Sequence, residues 1–173
     1  MAQRRESREH YARWFAALFD TYGAPLARLA SSYARARGEQ DDLFQEIMIA
    51  LWRALPAYRG DCSERTYVYR IAHNRAMSYL SRRRPMVGNL DEEGELPTPI
   101  PTPEQALSRG EEAARLAAAV ACLPVGHRGV VALALDGLDY KEIADVLGIS
   151  ESNVGARLTR ARTQLRRLLE GRT

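Results

Sequence analysis

The residues best suited to bind a ligand lie near the C-terminus, where small polar side chains are followed by a run of arginines. Small polar residues at the start of a helix allow close approach to DNA, and arginines bind phosphates and guanine edges. The pattern therefore favours binding in a major groove. The predicted contact residues are Ser152, Asn153, Ala156, Arg157, Thr159, Arg160, Thr163 and Arg167.

Two short helices joined by a tight turn are predicted to position these residues. Asp139 and Glu142 have the spacing of a capping box, so the first helix should span residues 140–147 and end at Gly148. Ser150 is the predicted cap of the second helix, whose apolar residues recur every three or four positions. This arrangement is typical of a helix-turn-helix. A solvated charged helix without a ligand is the simpler alternative, but the two caps and the excess of arginine favour DNA binding.

A second candidate site lies in the first half of the chain. The helical pattern breaks between residues 57 and 65, and a basic helix with several tyrosines near its start follows. Arginines interleaved with aromatic residues beside an irregular loop favour single-stranded DNA, whose bases can stack on the rings. At least one of these tyrosines is expected to lie in the core instead.

The first helix is predicted to begin at Tyr11 and to be interrupted at Gly23 and Pro25. It should resume over residues 26–37 and end at Gly38.

Asp41 or Asp42 is expected to cap the next helix, which should end before Pro56. One side of this helix is polar, and it is either plain solvent surface or a docking site for a partner. The residues on that side are Asp42, Gln45, Glu46 and Ile49.

A proline-rich acidic segment, residues 85–103, is predicted to be a linker between two domains because it can neither continue a helix nor form a core. The domains should span residues 8–84 and 104–171. The second should begin with a helix over 104–123, a turn at 124–127 and an apolar helix over 129–135. No strand-like alternation is present, so the predicted class is all-α.

The composition excludes several functions. With 46% hydrophobic and 27% charged residues, the 173-residue chain is expected to be globular. Cys62 and Cys122 are far apart and the three histidines are scattered, so neither a metal site nor a cofactor is predicted. No apolar run is long enough to span a membrane, and no signal sequence is seen at the start, so a cytoplasmic location is expected. No carboxylate cluster or activated nucleophile suggests an enzyme.

Taken in order, the motifs resemble the extracytoplasmic-function (group IV) sigma factors of bacterial RNA polymerase. The resemblance covers about residues 11–169. The matching motifs are Asp42-Leu43-x-Gln45-Glu46, Arg59-Gly60-Asp61, Tyr69-Arg70-Ile71-Ala72-His73-Asn74, Leu123-Pro124, Leu138-Asp139-Tyr140-Lys141-Glu142-Ile143-Ala144, Leu147-Gly148-Ile149-Ser150 and Arg157-Leu158-x-Arg160-Ala161-Arg162.

The resemblance implies that residues 8–84 are sigma region 2 and residues 104–171 are sigma region 4. Region 2 would bind the β′ clamp helices of core polymerase through Asp42, Gln45, Glu46 and Ile49, and region 4 would contact the β flap. The loop 60–65 would hold a flipped base of the minus-ten element. The implied minus-ten residues are Gly60, Asp61, Ser63, Glu64, Arg65, Arg70, Asn74 and Ser78. The second helix of the helix-turn-helix would read the minus-thirty-five element, and an anti-sigma factor would hold the protein inactive.

The chain departs from the family pattern at two places. Gly155-Ala156 replaces a basic residue and a serine, which removes one DNA contact and weakens the helix. Glu64 replaces an apolar residue beside the loop, where its charge would repel phosphate. A stand-alone helix-turn-helix regulator is the main alternative, but it leaves the first half of the chain without a role.

Overall fold

The computed structural model describes residues 2–34, 36–83 and 109–170, and the side chains of 9–34, 36–82 and 112–170. These ranges form helices and contain no strand, which confirms the predicted all-α class. The predicted linker, residues 85–103, and the first residues of the second domain lie outside them. The helices are α1 (Ala2–Tyr33), α2 (Arg37–Ala54), α3 (Glu64–Arg83), α4 (Arg109–Ala121), α5 (Val125–Leu135), α6 (Tyr140–Leu147) and α7 (Glu151–Glu170), with a 3₁₀ turn at Leu55–Ala57.

Helix α1 is continuous, so the predicted interruption at Gly23 and Pro25 is wrong. A proline inside a helix costs about 3 kcal/mol. Here Leu26 follows it directly and is completely buried. Burial of a leucine contributes roughly 1.5–3 kcal/mol, and this offsets the lost hydrogen bond. The helix also ends at Tyr33, earlier than the predicted stop at Gly38.

Helix α2 begins at Arg37, so the prediction that Asp41 or Asp42 caps it is wrong. Ala36 is the N-cap and has no side-chain oxygen to offer. The Glu39 carboxylate lies 3.5 Å from the Ala36 nitrogen and accepts from its N–H. An acidic residue in the first turn also interacts favourably with the helix dipole, which explains how the helix starts without a conventional cap.

Helices α1, α2 and α3 pack as an N-terminal module. Its core consists of apolar residues from all three helices, including Leu29, Leu43, Ile47, Val68 and Ala72, each fully buried. The loop 58–63 joins the 3₁₀ turn to α3 and lies at one end of the module.

Helices α4 to α7 form the C-terminal module, as the sequence predicts. Helix α5 starts at Val125, so the predicted turn over residues 124–127 is wrong. Pro124 is the N-cap, and its carbonyl accepts hydrogen bonds from the His127 and Arg128 nitrogens at 2.9 and 3.1 Å. Proline fits at a helix start because no partner for its missing N–H is needed there.

The two modules pack directly against each other. Helix α1 contacts α4 and α5, and α3 contacts α6, so the core continues from one module into the other. Gly129 of α5 lies at this contact. A Cβ atom there would lie 2.5 Å from the Tyr33 hydroxyl and 3.4 Å from the His73 ring. The absence of a side chain at this position is what allows the modules to meet.

We predict opposite effects of alanine at two helical glycines. Gly129→Ala should lower the free energy of unfolding by about 1–3 kcal/mol, since the added methyl group overpacks the contact with Tyr33. Gly155→Ala is the matched control: its Cβ would lie 3.5 Å from the Tyr140 ring, an ordinary contact. That variant should gain up to ~1 kcal/mol from helix propensity. Thermal unfolding of both variants tests this, and a Gly129→Ala protein as stable as wild type would contradict it.

Candidate nucleic-acid interface

The predicted helix-turn-helix is confirmed in detail. The Asp139 carboxylate accepts from the Glu142 N–H at 2.8 Å, and the Glu142 carboxylate accepts from the Asp139 N–H at 3.0 Å. Gly148 ends α6 with φ of 68°, a conformation that glycine adopts without strain. The Ser150 hydroxyl accepts from the Asn153 N–H at 3.3 Å and caps α7. Both helix ends facing the turn are therefore fixed by local hydrogen bonds.

Helix α7 is held by one face and exposes the other. Val154, Leu158 and Ala161 are buried against the rest of the C-terminal module. The opposite face is open to solvent and carries most of the predicted contact residues: Ser152, Asn153, Ala156, Thr159, Arg160, Thr163 and Arg167.

Arg157 is the exception among the predicted contact residues because it is half-buried. Its Nε donates to the Asn153 side chain at 3.1 Å and its Nη1 to the Gly126 carbonyl at 3.4 Å. The side chain thus connects α7 to the start of α5. Its position suits a support for the recognition helix better than a free DNA contact.

The loop before α3 is held in one shape by its own hydrogen bonds. Gly60 has φ of 80°, which favours glycine. The Tyr58 hydroxyl donates to the Cys62 carbonyl at 2.7 Å across the loop. The Ser63 hydroxyl accepts from the Thr66 N–H at 3.0 Å and so caps α3. Ser63, a predicted minus-ten residue, therefore has a structural task as well.

Aromatic rings lie next to this loop. The Tyr58 and Tyr67 ring centroids are 4.7 Å apart, and Trp14 of α1 lies 5.8 Å from Tyr58. These three rings are only half-buried, whereas Tyr69 is in the core as expected for one of the tyrosines. A half-buried aromatic cluster beside a fixed loop can stack with an unpaired base.

Glu64 is tied to α1. Its carboxylate accepts from the Trp14 indole N–H at 2.9 Å, a contact between residues fifty positions apart. Sequence reasoning missed Trp14 because it took this residue only as part of an apolar helix face. The contact holds the carboxylate beside the aromatic rings.

The predicted minus-ten residues of α3 divide into two groups. Asn74 and Ser78 are exposed, and Gly60 and Asp61 are exposed in the loop before the helix. Arg65 and Arg70 instead contact the C-terminal module. The structure therefore brings together the loop and the exposed side of α3, but it places two predicted DNA-binding arginines at the contact between modules.

Asp136 is the centre of that contact, and sequence reasoning missed it. Its carboxylate accepts from Arg28 at 2.7 Å and from the Tyr69 hydroxyl at 3.1 Å, and its side chain is only 4% exposed. Its backbone carbonyl accepts from Arg65 at 2.7 Å. Burial, together with the neighbouring Asp136 charge, raises the pKa of Tyr69. In the sequence, Asp136 before Gly137 has the pattern of an ordinary turn, so no local signal marks it.

The predicted polymerase-binding residues line one groove. Asp42, Gln45, Glu46 and Ile49 of α2 face Tyr79 and Arg82 of α3 across it. The groove is less acidic than the sequence suggests, because the Glu46 carboxylate lies 2.9 Å from Arg75 and 2.6 Å from Arg82. Ile49 is 51% exposed and gives the groove an apolar edge.

Comparison with known proteins assigns both modules. Residues 18–85 match the family described as Sigma-70 region 2, and residues 113–165 match Sigma-70 region 4. The RNA polymerase sigma factor CnrH of Cupriavidus metallidurans is 32% identical over 167 residues, 91% of this chain and 87% of the relative. The ECF RNA polymerase sigma-E factor of Escherichia coli is 34% identical over 151 residues, 82% of this chain and 78% of the relative.

Solved structures of sigma factors share the fold of this chain. The structure of CnrH in complex with the cytosolic domain of CnrY matches with a TM-score of 0.66 and 27% identity, over 94% of this chain and 91% of that one. The structure of the sigma factor RpoE in complex with the anti-sigma factor NepR from Bartonella quintana matches with a TM-score of 0.69, over 90% of this chain and 96% of that one. Because the two sequences are only 18% identical, this match shows a shared fold only.

The chain belongs to the extracytoplasmic-function sigma factors of RNA polymerase. The N-terminal module is its region 2 and the C-terminal module its region 4. Sigma factors of this family act in transcription initiation as DNA-binding regulators. Within the ranges that the structure describes, no helix is long and apolar enough to cross a membrane.

One prediction concerns His73, which lies between the modules. Its Nδ1 is 2.9 Å from the Tyr33 hydroxyl, and burial lowers its pKa from 6.5 to about 4. Because the folded protein resists protonation of this ring, the unfolded state binds more protons between these pH values. The free energy of unfolding should therefore be largest above pH 6.5 and should decrease as the pH falls towards 4.

Urea unfolding at pH 7.5 and pH 5 measures this effect. Wild type should lose more stability on acidification than His73→Asn, which cannot titrate, by something on the order of 1 kcal/mol. Equal losses in the two proteins would show that His73 does not titrate as burial dictates.

Proposed function

We propose that this sigma factor directs core RNA polymerase to promoters by reading a minus-thirty-five element with α7 and a minus-ten element with the loop 58–63 and α3. The observation that carries the proposal is the exposed, arginine-bearing face of α7 on a fully capped helix-turn-helix. Such a helix can enter a major groove without rearrangement, because its other face is already buried in its own module.

The proposed minus-thirty-five contact rests on the open face of α7. Ser152 and Asn153 in its first turn are positioned to reach base edges, and Arg160 and Arg167 further along are positioned to reach phosphate or guanine. Ala156 leaves room for close approach.

The proposed minus-ten contact uses the fixed loop and its aromatic neighbours. An unstacked base would find Tyr58, Tyr67 and Trp14 within stacking reach of the loop, and Asn74 and Ser78 are exposed on the helix that follows. Stacking contributes about 1–3 kcal/mol per base, enough to offset a substantial part of the cost of unpairing it. No catalytic group takes part in this step.

The proposed contact with core polymerase is the groove between α2 and α3. Exposed Ile49 offers an apolar anchor, while Asp42 and Gln45 offer exposed polar groups. Glu46 would hold the two helices of the groove together through its ion pairs with Arg75 and Arg82, so its charge would not be available to the polymerase. An apolar centre with a polar rim is the usual make-up of a protein interface.

Control by an anti-sigma factor is part of the proposal. The solved RpoE structure contains the anti-sigma factor NepR, and the solved CnrH structure contains the cytosolic domain of CnrY. Both match nearly the whole of this chain. A partner that covers the polymerase groove or the DNA-binding faces would hold the protein inactive.

In vitro transcription with purified core polymerase and genomic promoter fragments tests the proposal. Specific initiation should require the protein. Arg160→Glu should reduce it about tenfold or more, since one lost base contact costs ~1–3 kcal/mol. Asn74→Ala should impair opening of the promoter while leaving duplex binding by region 4 intact.

Arg162→Glu serves as the matched control, because Arg162 is exposed on the same helix but outside the proposed contact set. It should retain most activity. Binding of duplex DNA without any core-dependent initiation would overturn the proposal and would favour a stand-alone regulator.

A further inference from the structure

Asn153, in the first turn of α7, is held by hydrogen bonds of both its backbone and its side chain. The Ser150 hydroxyl accepts from its backbone N–H at 3.3 Å. Its side-chain oxygen Oδ1 accepts from Nε of Arg157, one helical turn further along, at 3.1 Å. Nη1 of Arg157 donates to the Gly126 carbonyl at 3.4 Å, so the guanidinium is held from a second side. Asn153 itself remains exposed on the face of α7 proposed to meet DNA.

The hydrogen bond with Arg157 determines which way the Asn153 amide is turned. A guanidinium group carries only donors, so the amide oxygen, and not the amide nitrogen, must face it. The amide nitrogen, with its two N–H donors, is therefore the group left for a ligand outside the helix. Because this orientation is set before any DNA binds, less side-chain entropy is lost on binding.

An asparagine in this orientation discriminates between the purines in the major groove. Asparagine pairs with adenine through two hydrogen bonds, one accepted from the N6 amino group and one donated to N7. That pairing needs both the amide oxygen and the amide nitrogen at the base edge, but the oxygen of Asn153 is turned towards Arg157. Guanine instead presents two acceptors, O6 and N7. The two N–H groups of the amide match guanine, whereas the N6 amino group of adenine would meet another donor.

We propose that Asn153 reads a guanine of the minus-thirty-five element and that Arg157 is the positioning residue that imposes this choice. The inference rests on the proposed function and deepens it by assigning a base preference to one residue of α7. Arg157 acts through Asn153 and touches no base itself. It thus governs specificity although it is not a DNA contact.

A purely structural role of Arg157 predicts a different result. Its bond to Gly126 ties α7 to α5, so loss of the side chain would weaken the support of the whole recognition helix. Such a loss lowers the affinity for all DNA sequences alike. Loss of the hydrogen bond to Asn153 instead changes the preferred base at a single position. Base preference, rather than affinity, therefore separates the two roles.

The test is selection from a pool of DNA duplexes with a randomised central segment. The holoenzyme assembled from core polymerase and the full-length chain is the bait, bound duplexes are sequenced, and the pool selected by core polymerase alone is subtracted. Asn153→Ala should lose base preference at one position of the wild-type motif, which identifies the base that Asn153 reads. At that position wild type should prefer guanine over adenine about tenfold, the discrimination expected of one good base contact.

The decisive variant is Arg157→Ala. It should shift the preference at that position from guanine to adenine, because the released amide can turn and form both hydrogen bonds with adenine. Arg157→Lys should retain guanine, since an ammonium group also carries only donors. In the Asn153→Ala background, Arg157→Ala should cause no further change in base preference. Arg162→Ala, at an exposed arginine of the same helix, is the control and should leave the motif unchanged.

Asn153→Asp provides a second route if Arg157→Ala folds poorly, because it leaves Arg157 in place. A carboxylate has no N–H to donate, so the preference should move from guanine to cytosine, whose N4 amino group is a donor. Guanine retained in Arg157→Ala, adenine preferred by wild type, or a weakening of all positions together would overturn the inference. A wild-type holoenzyme that selects no motif would contradict the proposed function itself, so the two failures are distinct.

Discussion

The arrangement of this protein depends on one buried carboxylate. Asp136 sits at the end of α5 with its side chain almost fully enclosed, and its charge is neutralised by Arg28 of the other module. A buried carboxylate without a cation would cost several kilocalories per mole, so Asp136 and its partners stay together or are all exposed to water. The relative position of regions 2 and 4 follows from this pairing and from the close approach at Gly129.

The same contact connects architecture with function. Arg65 and Arg70 belong to the helix proposed to bind the minus-ten element, yet both donate to region 4 in this structure. The proposed DNA-binding face of α7 is exposed, whereas part of the proposed contact surface of region 2 is covered by region 4. Two of the proposed minus-ten residues are therefore engaged in the contact between the modules.

Much of the fold could be predicted because its signals are local. The capping box at Asp139, the left-handed Gly148 and the apolar stripe of α7 each depend on neighbours within a few residues. The predictions failed where contacts between residues far apart in sequence outweighed local helix propensity and capping signals. Burial of Leu26 carries α1 through Pro25, and α2 starts without a conventional cap. Asp136 and Trp14 were missed for the same reason, since their partners lie far away in sequence.

The two cysteines offer a direct measurement of the central claim, that the pairing of Asp136 with Arg28 holds the two modules together. Cys62 lies in the N-terminal module and Cys122 in the C-terminal module, and both are free thiols. Spin labels on them would report the distance between modules by electron double resonance. We predict one narrow distance distribution in the wild-type protein and a broader one in Asp136→Ala, which leaves Arg28 without its partner. The same distribution in both proteins would contradict the account.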